Sequence, residues 1–214
     1  MKQLLFSLVV LSSIVTMKAQ TMDSLFVAMP DSICTLLTAV NRADCIDFRA
    51  SGMKAVVTNR FGKSSEMTDL TSDYLRLQLT SVSTVEMKKI LLQDSTAVIC
   101  VIKTIQTPVE DSSIAFYSTK WQLLSTDSFI TLPKEQDFFV QNDSLDTAKY
   151  QQLRAKANLF FTCKIALCSK KEDLQFTFTT PAYLDKEDQK EMAAYLIKSP
   201  LVYQWKADRF TPKN

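Results

Sequence analysis

Acidic and aromatic side chains are the groups in this sequence that could carry a functional site, because histidine is absent from its 214 residues. Without histidine the chain cannot form a Ser-His-Asp or Cys-His catalytic arrangement, or a His-Glu-x-x-His zinc site. Its two glycines, Gly52 and Gly62, are too few for a phosphate-binding loop or a dinucleotide fingerprint. We therefore expect no cofactor, and catalysis would have to depend on carboxylates.

Asp44 and Asp47 are the acids whose spacing best fits such chemistry. They are three residues apart, so a helix would place both on one face, where they could act as general acid and base. We favour a solvated helix face with Arg42 and Arg49 nearby, because charged residues usually lie on the surface. The acids lack the short, glycine-containing spacing of calcium loops, and we predict no catalytic or metal site.

Two aromatic pairs, Tyr117 with Trp121 and Tyr203 with Trp205, could form flat surfaces for a sugar or a protein partner. Core packing also explains the second pair, since alternation places it on one strand face with Leu201. Both interpretations stay open, and these four residues are the candidate ligand surface.

The five cysteines, Cys34, Cys45, Cys100, Cys163 and Cys168, include no C-x-x-C motif of a redox or zinc site. Buried free thiols that act as small hydrophobic residues are the favoured interpretation. One disulfide between distant positions, involving Cys100 for example, stays open for an exported chain.

Residues 1–19 read as a secretory signal peptide. Lys2 precedes the apolar stretch Leu4–Val15, which is shorter than the roughly 20 residues that span a bilayer. Cleavage near Ala19-Gln20 would release a periplasmic or secreted chain without a transmembrane segment.

The predicted mature chain is electrically balanced. The whole sequence has 25 basic and 23 acidic residues, and the signal removes two of the basic ones, Lys2 and Lys18. Nucleic acids and anionic membrane surfaces require an excess of positive charge, so we expect neither as a partner.

The elements that must position these residues indicate an α+β fold. Asp31 or Ser32 is expected to cap a helix that continues through Val40 toward Phe48. Beyond it, alternation at Leu75–Thr80 and the apolar run Ala97–Ile102 predict an antiparallel β-meander over residues 53–132. Residues 20–132 would thus combine a helix with a meander.

Residues 133–146 are predicted to be a linker or crossover, and residues 147–214 a smaller region of hairpin, helix and strand. The hairpin turns at Ser169–Asp173 and starts with a strand expected to place Leu159 on the same face as Leu167. Asp185 caps the following helix, and Leu201–Trp205 forms the last strand. The two regions could also pack as one domain.

Several clusters within residues 28–124 resemble an uncharacterised family of exported Bacteroidetes proteins, a domain of unknown function. The resemblance implies a bacterial envelope address and assigns no functional residues. The resembling positions include Ala28–Ser32, Asn41-Arg42 with Asp44, Asn59–Gly62, Asp73-Tyr74, Val98–Cys100 and Phe116-Tyr117 with Trp121.

The resemblance also implies a modification, because exported proteins of such bacteria can carry O-glycans at Asp-Ser/Thr before an aliphatic or small residue. Ser144 and Thr147 match this pattern within or beside the predicted linker. They are the candidate O-glycosylation sites.

We expect a non-catalytic binding or interaction protein of the bacterial envelope, whose partner is an envelope protein or a glycan. One alternative is a carboxylate-based hydrolase acting on glycans, which would need two carboxyl groups about 5–10 Å apart. The other is a carrier of apolar ligands, which would need an interior cavity.

Overall fold

Two helices and a seven-stranded antiparallel sheet form the first part of the protein. The structure, a computed structural model, describes residues 20–140 and 147–213. The strands follow one another in chain order, which confirms the predicted meander. The elements are α1 (Met22–Ala28), α2 (Ala39–Ala50), β1 (Ala55–Thr58), β2 (Ser64–Leu70), β3 (Tyr74–Thr80), β4 (Ser83–Leu91), β5 (Ala97–Gln106), β6 (Glu110–Ser118) and β7 (Leu123–Leu124).

The predicted start of the α2 helix was wrong. Asp31 and Ser32 lie in a turn, and the helix begins eight residues after Asp31, at Ala39. Thr38 caps it: its hydroxyl accepts from the Asn41 amide at 3.1 Å, and the Asn41 side chain accepts from the Thr38 amide at 3.1 Å. This reciprocal capping box satisfies two otherwise unpaired amides and therefore fixes the helix start.

Both faces of the large sheet are covered. Leu75 and Leu77 are fully buried on the face that packs against α1 and α2. Strand β5 is buried on both sides, as its unbroken apolar run predicts, with Ile99 facing the helices and Cys100 the opposite face.

A second, four-stranded antiparallel sheet covers that opposite face, in the order β11-β10-β9-β8. The predicted hairpin and the helix capped by Asp185 are confirmed. Leu159 ends a helix instead of entering the strand, which begins at Cys163, so that part of the prediction was wrong. The elements are α3 (Thr147–Leu159), β8 (Cys163–Leu167), β9 (Asp173–Phe178), α4 (Lys186–Ala193), β10 (Leu201–Lys206) and β11 (Arg209–Pro212).

Strand β11 was not predicted. Its connection to β10 is a two-residue turn, Ala207-Asp208, in which both residues have positive φ values of 50° and 61°. Such turns favour Gly and Asn, and neither residue is present to mark the hairpin in the sequence.

The two sheets share one core cluster, in which the ring of Phe116 in the first lies 6.2 Å from that of Phe210 in the second. Side chains of β6 accept hydrogen bonds from the unpaired edge of β8. The Cys163 amide donates to Asp111 at 3.1 Å, and the Ile165 amide donates to Ser112 at 3.0 Å. Buried Lys88 donates to the carbonyls of Cys168 and Ser169 at 3.3 and 3.1 Å. The packing between the sheets is therefore both apolar and hydrogen-bonded.

The five cysteines are free, and all except Cys168 are buried. None of the helices within residues 20–140 and 147–213 has the length and apolar character needed to cross a membrane. The predicted signal peptide lies outside the described residues.

Candidate functional site

An open groove of about 720 Å³ runs between strand β11 and the segment 131–137. Its volume lies within the range of about 300–1,000 Å³ that is typical of ligand sites. We call it the β11 groove. Its lining consists of Thr131, Leu132, Lys134, Gln136, Asp137, Phe139, Leu201, Val202, Tyr203, Arg209, Phe210, Thr211, Pro212 and Lys213.

Backbone contacts place the two walls of this groove beside each other. The Phe210 amide donates to the Phe129 carbonyl at 2.7 Å, where Ile130 runs parallel to β11 for one residue. The chain then leaves the strand and forms a short 3₁₀ helix, Glu135–Phe138, whose Asp137 carboxylate accepts from the Lys134 amide at 2.7 Å. The groove occupies the space that opens between the two diverging segments.

Two buried aromatic residues of the core, Tyr203 and Phe210, lie beneath the groove. Tyr203 is 6% exposed and contacts Phe176, with 4.9 Å between ring centroids. Phe210 contacts Trp205 edge to face at 4.8 Å. Burial raises the pKa of the Tyr203 hydroxyl, and the nearby Asp137 and Cys163 act in the same direction. The Tyr203 hydroxyl therefore stays protonated at neutral pH.

The rim is cationic. Lys134, Arg209 and Lys213 line the groove, against the single carboxylate of Asp137. Arg209 is held in place by donating to Thr131 Oγ1 at 2.6 Å and to the Asp127 carbonyl. Within the described ranges, none of these three cations has a carboxylate within 4.0 Å. The groove thus presents positive charge that the described part of the protein does not neutralise.

The structure places the two predicted aromatic pairs in different core clusters. Tyr117 and Trp121 lie 5.7 Å apart, and the Trp121 indole donates to the Leu25 carbonyl of α1 at 3.0 Å. Tyr203 and Trp205 pack in the cluster between the sheets. Of the four residues, Tyr203 alone is among those that line the β11 groove.

The other predicted candidates do not converge on this groove. Asp44 and Asp47 lie on α2, on the far side of the large sheet, and Asp47 is exposed. Thr147 is the exposed first residue of α3, while Ser144 falls outside the described residues. The described part of the chain contains no group of three acidic or cysteine side chains that could hold a metal ion.

Sequence reasoning missed the cationic rim. Lys134 falls in the predicted linker, and Arg209 and Lys213 lie in and beside the unpredicted strand β11. The bridge between Ile130 and Phe210 brings the segment that carries Lys134 beside β11.

Residues that carried the family resemblance form a second cluster beside α2. Arg42 is 2% exposed and donates to Asp31 at 2.9 Å and to the Leu37 carbonyl at 2.8 Å, as well as to the Met29 carbonyl. Arg60 also pairs with Asp31. These contacts hold the turn before α2 in place, which gives the cluster a structural role.

Comparison with known proteins agrees with the resemblance to an uncharacterised family. The model of the family described as "Protein of unknown function (DUF3256)" matches residues 14–210. The chain is also similar to a solved structure, that of a domain of an uncharacterized protein from Porphyromonas gingivalis W83, with a TM-score of 0.77 and 30% sequence identity. The match covers 89% of this chain and 96% of that chain. No curated protein matches the sequence.

Proposed function

We propose that this chain, which belongs to the DUF3256 family of proteins of unknown function, is a non-catalytic envelope protein that binds an acidic glycan in the β11 groove. The observation that carries the proposal is the convergence of Lys134, Arg209 and Lys213 on one groove. A carboxylate-bearing ligand would supply the negative charge that the described residues do not.

The size and chemistry of the groove favour a glycan over a protein partner. Thr131, Gln136 and Thr211 add hydroxyl and amide groups that can exchange hydrogen bonds with sugar hydroxyls. Stable protein interfaces bury about 1,200 Å² or more and take about 20–30 residues from each side, more than line this groove. The balanced charge of the chain also argues against a nucleic acid, which would need an extended basic surface.

Binding is favoured over hydrolysis because Asp137 is the only acidic residue among the described residues that line the groove. Its carboxylate already accepts from the Lys134 amide as the cap of the 3₁₀ helix. A carboxylate-based glycosidase needs two acids with opposed tasks, about 5–10 Å apart.

The apolar-carrier alternative has less support. A groove of about 940 Å³ with Leu91, Leu92 and Val98 in its lining lies near Gln20, but it is open to solvent. A carrier would shield its ligand inside a closed cavity.

Export is part of the proposal and can be tested separately. Residues 1–19 have the charge and length of a signal peptide, and cleavage would make Gln20 the first residue. N-terminal sequencing of protein isolated from the periplasm or medium should begin at Gln20. Recovery of the chain only from the cytoplasm, with its N-terminal segment intact, would contradict export.

The binding claim is tested with trigalacturonic acid and its neutral counterpart galactotriose. The test variant is Lys134→Gln/Lys213→Gln, because both lysines are exposed and neither is in an ion pair among the described residues. The matched control, Lys63→Gln/Lys171→Gln, removes two exposed lysines elsewhere.

Calorimetric titration should show tighter binding of the acidic sugar than of the neutral one. An exposed ion pair contributes about 0.2–1 kcal/mol, so losing two should weaken binding by about 2- to 30-fold, and less at high salt. The control should bind like the native protein. Equal binding of both sugars, or an unchanged affinity in the test variant, would contradict the proposal.

A further inference from the structure

A second groove, of about 380 Å³, lies at the opposite edge of the four-stranded sheet, where β8 crosses strands β3 to β6. We call it the β8 groove. Its lining is almost entirely polar and consists of Arg76, Gln78, Ser81, Val82, Thr84, Glu86, Thr104, Gln106, Glu110, Lys164 and Ala166.

The groove exists because the side chains on this face of the large sheet change from apolar to polar along its strands. Ile102 of β5 is fully buried beneath the second sheet, whereas two residues later Thr104 lines the groove. Side chains two apart in a strand lie on the same face, so the covered apolar surface continues directly into this polar surface. Lys164 and Ala166 of β8 form the wall on the other side.

Glu86 is the most buried charged group in the groove, with 8% of its surface exposed. The Tyr74 hydroxyl donates to its Oε1 at 2.7 Å. Burial and this hydrogen bond both raise the pKa of the Tyr74 hydroxyl, which therefore remains a donor. A buried carboxylate is costly without partners, and Tyr74 provides one of them.

Arg76 lies directly across from Glu86 in the strand register. Although opposite residues have Cβ atoms about 4.5–5.5 Å apart, the two side chains do not form an ion pair within 4.0 Å. Arg76 is exposed and lines the groove. The remaining charges in the groove, Glu110 and Lys164, pair with each other at 2.8 Å.

The groove therefore offers one carboxylate and one guanidinium side by side, each without an ionic partner among the described residues. We infer that the β8 groove binds a free α-amino acid in its zwitterionic form. The ligand ammonium group pairs with Glu86 and its carboxylate with Arg76, while Gln78, Thr84 and Thr104 face a polar side chain.

Two observations favour this ligand over a sugar or an ion. The groove has equal numbers of positive and negative side chains and contains no aromatic ring on which a sugar could stack. Its volume of about 380 Å³ leaves room for a molecule of amino-acid size. The site is independent of the β11 groove, which has a different charge and lies at the other edge of the same sheet.

The experiment titrates the full chain with L-glutamine and with two derivatives that each lack one charge, N-acetyl-L-glutamine and L-glutaminamide. Binding is followed by amide shifts in NMR spectra. The variants are Glu86→Gln, which retains an oxygen that can accept from Tyr74, and Arg76→Gln at an exposed position. Lys63→Gln is the matched control.

In the native protein, L-glutamine should shift the amides of Glu86 and Thr104, and each derivative should bind about 10- to 100-fold more weakly. In the Glu86→Gln variant, N-acetyl-L-glutamine should bind as well as L-glutamine, while L-glutaminamide still binds more weakly. In the Arg76→Gln variant, L-glutaminamide should bind as well as L-glutamine, while N-acetyl-L-glutamine still binds more weakly. The control should retain both.

Absence of shifts at millimolar L-glutamine, or equal binding of the three compounds, would overturn the inference. Equal losses for all ligands in both variants would also overturn it, because they would indicate a general structural effect. None of these results would affect trigalacturonic acid binding in the β11 groove, so the two proposals fail independently.

Discussion

Replacing Arg42 by methionine should destabilise the protein strongly, although the residue lies far from both grooves. The guanidinium group is 2% exposed and donates to the carbonyls of Leu37 and Met29 and to the Asp31 carboxylate. Methionine fills the space of the aliphatic stem but is shorter than arginine, and it donates no hydrogen bond. The turn before α2 would lose the contacts that fix it.

The expected loss of stability follows from the carbonyl groups that would be left without a donor. Two carbonyl groups that now accept from Arg42 lose this donor, at about 1–3 kcal/mol each. Burying a methionine offsets part of this, up to about 2 kcal/mol. With the middle of each range, about 4 kcal/mol lost and about 1 kcal/mol regained, the free energy of unfolding should fall by about 3 kcal/mol. Tm should fall by about 6–12 °C for a chain of this size.

Urea unfolding monitored by circular dichroism measures this change, with Arg60→Gln as the control. Arg60 pairs with the same Asp31 but is half exposed, so its loss should be much smaller. If the free energy of unfolding of the Arg42→Met protein lies within about 1 kcal/mol of the native value, the lost hydrogen bonds cost less than expected and the reasoning is refuted. A larger loss in the Arg60 variant would refute it as well.

The same cluster predicts a pH dependence. Arg42 and Arg60 hold the pKa of Asp31 below its ordinary value. Because the pKa of Asp31 is lower in the folded state, its contribution to stability is present above the unfolded pKa of about 3.9 and is lost as the pH falls through the folded pKa. Asp31→Asn should show a weaker loss of stability in acid than the native protein does.

Two further predictions concern the helix start and the cysteines. Thr38→Ala removes the side chain that accepts from the Asn41 amide, so it should lower the free energy of unfolding by about 0.5–2 kcal/mol in urea titrations; no measurable change would contradict the assigned cap. Iodoacetamide should label only Cys168 in the native protein and all five cysteines in urea, because burial raises the pKa of Cys45 to about 11 and of Cys163 to about 12. Mass spectrometry identifies the labelled residues, and rapid native labelling of Cys100 would contradict its burial.

Local patterns predicted the strands best. Alternation at Leu75–Leu79 and the apolar run Ala97–Ile102 follow directly from one-sided and two-sided burial of strands, and both strands are present. The start of α2 could not be read in this way. Pro30, Asp31 and Ser32 look like a helix start, whereas the real capping box at Thr38 uses Asn41 in place of the usual Glu or Gln. Buried Arg42 binds Asp31 and so uses the predicted cap residue to hold the preceding turn.

The candidate site was less accessible to sequence reasoning. Aromatic spacing identified Tyr203, whose ring lies beneath the β11 groove, but it could not distinguish a buried core residue from an exposed surface. Lys134 and Arg209 line the same groove because Ile130 bridges to Phe210 of β11, a contact between distant parts of the chain. Glu86 and Arg76 likewise become neighbours through strand register.

The most direct test of the central claim is an NMR titration of the native protein with trigalacturonic acid. Binding of an acidic glycan in the β11 groove predicts saturable shifts concentrated at residues such as Tyr203, Arg209 and Thr211, and much smaller shifts with galactotriose. Shifts confined to other surfaces, or the same shifts with the neutral sugar, would contradict acidic-glycan binding in this groove.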